Sequence, residues 1–106
     1  MRERDYQARL IKKLHRLFPG CVILKNDSEY VQGIPDLLIL FKDKWGMLEV
    51  KSSKDSEVQP NQEYYVSLLS DMSFASFIWP DVEEEVLSAL QRTFQSRRSA
   101  RLSERF

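Results

Sequence analysis

Residues 33–53, "GIPDLLILFKDKWGMLEVKSS", hold two apolar runs that are interrupted by Asp36, Glu49 and Lys51. "DLLILFK" and "GMLEVKS" read as strands and "DKWG" as a tight turn, which predicts an antiparallel hairpin. The first strand is nearly all apolar, so burial on both faces in mid-sheet is expected. Charge inside such strands is costly unless it is paired or holds a metal. Glu49 and Lys51 are two apart and leave the same face of their strand. With the turn near residues 43–46, Glu49 is expected opposite a residue near position 40, with Asp36 a few residues further along. The three groups can then meet at one end of the hairpin, where Gly33 and Pro35 leave room for a ligand.

Outward from the hairpin, "RERDYQARLIKKLHRLF" spaces Tyr6, Leu10, Leu14 and Leu17 by three and four, with Ile11 and Phe18 widening the stripe. That pattern predicts an amphipathic helix with a basic outer face, stopped by Pro19-Gly20. "CVILKN" reads as a short strand and "DSEYVQG" as a loop. After the hairpin, "SKDSEVQPN" is a loop by composition. Pro60 can open a helix whose inner face carries Tyr64, Tyr65, Leu68 and Leu69. "FASFIW" reads as a fourth strand, more a core element than a base-stacking platform. "PDVEEEVLSAL" starts a last helix, its acids suited to the N-terminal dipole. The expected fold class is α/β: an αβββαβ core with one mixed, four-stranded sheet flanked by helices.

The chain has 106 residues, 42% hydrophobic and 30% charged, with no net formal charge. Those values fit one soluble domain, taken as residues 1–94, with 95–106 as a basic C-terminal extension. No apolar run approaches the roughly 18 residues of a membrane span, and the charged "MRERDYQARL" does not suit a signal peptide. Cys21 is the single cysteine, so an intrachain disulfide is excluded and an intracellular, cytoplasmic setting is expected. Basic residues gather on the first helix, with Arg9, Lys12, Lys13 and Arg16 as candidate nucleic-acid contacts, and again at Arg97, Arg98, Arg101 and Arg105. His15 is the only histidine, which argues against histidine-pair nucleases and a His/Cys zinc site. Cys21 is expected to pack, since no second histidine is present to orient a thiolate.

Two carboxylates with a nearby carbonyl suit Mg²⁺ or Mn²⁺, hard ions that take oxygen ligands. Such an ion against a phosphate supplies charge stabilisation and an activated water. A lysine beside it can orient that water or neutralise charge developing on phosphorus. Phosphodiester hydrolysis needs these parts and no protein nucleophile.

Pro-Asp followed thirteen residues later by Glu-x-Lys resembles the PD-(D/E)XK nuclease superfamily. "GIPDLLIL…GMLEVKSS" with "QPNQEYY" after it is similar to the small virus-type VRR-NUC nucleases. Its Ile-Pro-Asp and Glu-x-Lys segments also resemble archaeal-type Holliday junction resolvases. The likeness runs from about residue 3 to about residue 90 and implies a restriction-endonuclease-like fold. It implies Asp36, Glu49 and the Val50 carbonyl as metal ligands and Lys51 as the catalytic lysine. Gln62 matches a glutamine that supports the site, and Glu3 an acid on the first helix that reaches the metal through water, with Asp5 close by as the alternative. The function implied is a DNA endonuclease on branched DNA such as Holliday junctions. The small footprint of a 106-residue chain on DNA leads one to expect a homodimer, and its compactness a phage-encoded or mobile-element origin. Other readings are a non-catalytic nucleic-acid-binding module of nuclease-like fold, or an enzyme acting on RNA. On the plainest reading, Asp36 is a turn aspartate after proline and Glu49 and Lys51 guard an edge strand.

Overall fold

The computed structural model describes residues 1–96 of the chain. The elements run α1 (Glu3–Leu17), β1 (Val22–Lys25), β2 (Leu37–Phe41), β3 (Lys44–Val50), α2 (Pro60–Met72), β4 (Ala75–Ile78), a 3₁₀ turn (Pro80–Val82) and α3 (Glu83–Gln95). This is the α/β order expected. The extension expected from residue 95 begins inside α3, and its four arginines lie outside the described residues. Among the described residues no helix is long and apolar enough to cross a membrane.

The sheet has the order β1-β2-β3-β4. β1 and β2 pair antiparallel, as do β2 and β3, while β3 and β4 run parallel through the α2 crossover. Side chains alternate across each strand, so the registers sort the residues into two faces. Leu37, Ile39, Leu48, Val50 and Ile78 form the inner face and are fully buried. Tyr6, Leu10 and Leu14 of α1 and Val86, Leu87 and Leu90 of α3 close over them. At the turn end, Phe18, Phe41 and Phe94 form an aromatic cluster with centroids 4.9 to 5.5 Å apart. Leu17, expected in the apolar stripe, is 45% exposed; Phe18 takes its place in the core.

The hairpin turn is tighter than its composition indicates. Phe41 pairs with Lys44, leaving only Lys42 and Asp43 as the loop, and Lys42 takes a φ of 58°. Two-residue hairpin loops need such left-handed backbone to match strand twist. Trp45 and Gly46, expected in the turn, are strand residues. Gly46 faces α3 so closely that a Cβ there would lie 2.6 Å from Leu90 Cδ1. Its glycine serves a close helix approach and not a bend.

The outer face is only partly covered. α2 lies over β3 and β4, burying Leu69, whereas Tyr64, expected inside, is exposed and meets Tyr65 edge-on at 5.0 Å. Over β1 and β2 the face is open: Val22, Leu24 and Leu40 are exposed. Burial of β2 on both faces, expected from its composition, therefore fails. On its outer side Leu38 is half-buried and Leu40 exposed.

Candidate active site

The outer face carries its polar residues in one row at the end of the hairpin away from the turn. Leu37 pairs with Leu48, so one further step sets Asp36 opposite Glu49. This replaces the expected pairing of Glu49 near position 40, because the shorter turn shifts the register. The Asp36 carboxylate accepts the Val50 amide at 2.8 Å, a side chain continuing the strand ladder. On the other side the Asn26 amide N–H reaches the Asp36 carbonyl at 2.9 Å. Asn26 Nδ2 donates to the Pro35 carbonyl at 2.8 Å, holding the backbone just before Asp36.

Glu49 and Lys51 are both buried, at 3% and 7% exposure, and are the buried charged pair of the described residues. Lys51 Nζ donates to the Glu57 carbonyl at 2.8 Å and to Gln62 Oε1 at 2.9 Å. It lies 3.7 Å from Glu49 Oε2, an ion pair longer than a hydrogen bond. Gln62 Nε2 donates to that same Glu49 oxygen at 3.0 Å. Glu49 Oε1 is buried and has no hydrogen-bond partner among the described residues.

Gln62 is fixed by helix capping. Its Oε1 accepts the Gln59 amide at 3.0 Å while the Gln59 side chain accepts the Gln62 amide, a reciprocal capping box at the start of α2. Pro60 sits in the first turn, as expected from the sequence. The cap that starts the helix thereby aims an amide at the buried carboxylate.

The electrostatics follow from burial. Desolvation, then the neighbouring Asp36 charge, push the Glu49 pKa up to about 8, with Lys51 opposing and Glu3 adding to the rise. Burial also raises Asp36, against the Val50 amide and Lys51, which favour its charged form. Two acidic groups side by side with one ammonium make a site short of positive charge. Partial desolvation raises Glu3, which is exposed on α1 and lies within the field of Lys51 and Asp36. Asp5 turns away to Arg2 at 3.4 Å. Of the two first-helix acids, Glu3 is the one electrostatically coupled to the cluster.

A divalent cation fits this arrangement. The orphaned Glu49 oxygen is a buried acceptor with no donor, and a cation that displaces the Glu49 proton would neutralise both adjoining carboxylates. No group of three or more His, Cys, Asp and Glu side chains converges among the described residues. Asp36, Glu49 and, on the strand between Glu49 and Lys51, the Val50 carbonyl are the groups that would hold such an ion. Few protein ligands suit Mg²⁺, which keeps several waters.

The other candidates divide. Arg9, Lys12 and Arg16 are exposed on α1, with Arg9 over the Tyr6 ring at 5.6 Å. Lys13 is tied to Glu83 at 2.6 Å, and Tyr6 donates to the other Glu83 oxygen at 2.9 Å. Lys13 thus clamps α1 to α3. Cys21 lies 3.7 Å from His15 Nδ1, but burial pushes its thiol pKa up, which opposes a thiolate nucleophile. Sequence reasoning missed Asn26 and the Glu57 carbonyl. Asn26, just past the strand in "CVILKN", left a faint signal; a backbone carbonyl in a loop leaves none.

The chain matches no protein-family model, no curated protein and no solved structure.

Proposed function

We propose that this chain is a divalent-metal-dependent endonuclease that hydrolyses phosphodiester bonds in DNA, with branched DNA such as Holliday junctions as its substrate. The observation that carries the reading is the meeting of half-buried Asp36 with buried Glu49 and Lys51, with one Glu49 oxygen left unpaired. The resemblance of the same residues to the PD-(D/E)XK pattern supports it independently of the geometry.

Asp36, Glu49 and the Val50 carbonyl would hold Mg²⁺ or Mn²⁺, with Glu3 reaching it through water. The bound ion supplies charge neutralisation at the phosphate and lowers the pKa of a water. The chain's own residues do the rest. An ammonium has three donors; Glu57 and Gln62 fix two of those of Lys51, and the third has only the longer Glu49 contact. That third N–H is free to turn to the attacking water or to a phosphate oxygen as charge develops in an in-line displacement. Gln62 holds Lys51 and Glu49 in mutual register, a positioning role. Arg9, Lys12 and Arg16 are proposed to contact the DNA backbone.

A homodimer belongs to the proposal, since a small chain has a small footprint on DNA and paired sites suit paired cuts. The open apolar outer face at Val22, Leu24 and Leu40 supplies surface that a second copy can bury. An intracellular, phage-encoded setting is part of the same reading.

The deciding experiment compares linear duplex, single strands, flaps, four-way junctions and RNA in Mg²⁺ and in Mn²⁺. Cleavage of the junction above the linear duplex, lost in Lys51→Ala, is the expected result. Binding without nicking of any substrate would instead favour a non-catalytic module, and preferential cutting of RNA would reassign the substrate.

A further inference from the structure

Beside the carboxylate row lies a cleft of about 410 Å³, lined by Ser28, Gln32, Gln59, Pro60, Asn61 and Gln62. Its size is that of a small-ligand site. Its walls carry side-chain amides and a hydroxyl but no charged residue. Such a lining has nothing to balance a phosphate or a free cation. It does offer donors and acceptors together, which is what a nucleobase edge requires: Asn and Gln amides are the side chains that pair bidentately with a base. The Pro60 ring adds an apolar surface for a flat ligand. Among the described residues, none hydrogen-bonds the side-chain amides of Gln32 or Asn61, so both remain available.

The cleft is preformed. Gly33 closes its floor with φ +91°, and a Cβ there would stand 2.4 Å from Asn61 Cβ and 2.8 Å from the Asn61 carbonyl oxygen. The loop backbone therefore rests directly on the first turn of α2. The loop is itself held by hydrogen bonds from the Tyr30 and Val31 amides to the Asp27 carbonyl. Gln62 belongs both to the cleft and to the cluster around Glu49 and Lys51, so a ligand seated here is one residue from the proposed cutting site.

We infer that this cleft receives one unpaired nucleobase of the substrate, adjacent to the phosphate that is cut. The inference rests on the nuclease reading for its substrate class but not for its test. A base enters such a pocket only when it is out of the duplex stack, and unstacking costs least at a branch, flap or mismatch. The cleft therefore gives a physical reason for a preference for branched substrates: the base presented at the branch is already available.

The test is an NMR titration of the whole protein in Mg²⁺ with each of the four deoxynucleoside 5′-monophosphates, and separately with deoxyribose 5-phosphate. Backbone amide shifts at Gln32, Gly33 and Asn61 are expected with base-bearing ligands and not with the sugar phosphate. Gln32→Ala/Asn61→Ala should weaken that response at least tenfold while leaving the dispersed spectrum intact. Equal shifts from deoxyribose phosphate, or no shifts at these amides with any of the four, would overturn the inference. A second arm places one abasic residue at successive positions flanking the cut in a junction substrate. Cleavage should fall about tenfold at one position, and that penalty should vanish in the double variant; a penalty unchanged in the variant counts against the cleft. If bases bind here and no nucleic acid is cut, the nuclease reading fails and the base site stands.

Discussion

Gln62 bridges the two buried charges of the site, its Nε2 donating to Glu49 Oε2 at 3.0 Å and its Oε1 accepting from Lys51 Nζ at 2.9 Å. A single amide thereby serves as helix cap and as spacer between acid and base. Its removal should separate positioning from binding. Gln62→Ala is expected to lower kcat by about 10- to 100-fold, the range for loss of a group that orients a metal ligand. KM for DNA should move little. Steady-state kinetics on the best substrate check this, and a change confined to KM would assign Gln62 to DNA binding.

Lys51→Ala removes the donor proposed to meet the phosphate. Cleavage should drop by about 10²- to 10³-fold, as for loss of one preorganised electrostatic donor. It also strips the buried Glu49 carboxyl of its cationic neighbour, so about 3 kcal/mol of stability is expected to go with it. Gel-shift binding in Ca²⁺ should persist. The pairing of lost cleavage with retained binding is the signature to look for.

The metal-free protein should become less stable as pH rises. Glu49 carries a folded pKa of about 8 against 4.5 as its ordinary value, so between those values the folded state binds more protons than the unfolded one. The slope of unfolding free energy with pH is then negative, and stability falls from about pH 4.5 to about pH 8 before levelling. Asp36 is raised in the same direction. Thermal melts in EDTA across this range check the sign. Glu49→Gln should flatten the slope and raise Tm at pH 8, at the expense of metal binding.

Mn²⁺ should reverse that loss. Two carboxylates that repel each other in the apo protein gain a shared cation, so melting should rise with Mn²⁺ concentration. At 100 times the dissociation constant the gain is about 2.7 kcal/mol. Asp36→Asn should abolish the shift. A rise that persists in Asp36→Asn would place the ion elsewhere.

Glu83 has the opposite pH sign. Its hydrogen bonds from Lys13 and Tyr6 outweigh burial and hold its pKa below the usual carboxylate value. The stability it contributes is present above that value and is lost as pH falls through the lowered one. Glu83→Gln should cost about 1–3 kcal/mol at neutral pH by urea unfolding, since both charge-assisted hydrogen bonds that tie α1 to α3 weaken together.

The sequence by itself determined the element order and the identity of the charged cluster. Periods of three to four placed Tyr6, Leu10 and Leu14 on one helix face, and alternation around Glu49 and Lys51 put both on one strand face. These are local properties, set by backbone geometry within a few residues. Tertiary structure decided the rest. Gly46 reads as a turn residue until α3 is seen against it, and that contact lies more than forty residues away in the chain. The Lys42-Asp43 loop shifted the register and brought Asp36 opposite Glu49, since loop length fixes the register of a hairpin. Leu40 reads as core by composition, yet it is 38% exposed. Glu3 was separated from Asp5 only by which one shares a field with Lys51. The odd charges of residues 33–53 were thus legible from the start, whereas their desolvation and the raised pKa of Glu49 arise from long-range packing, which no local pattern encodes.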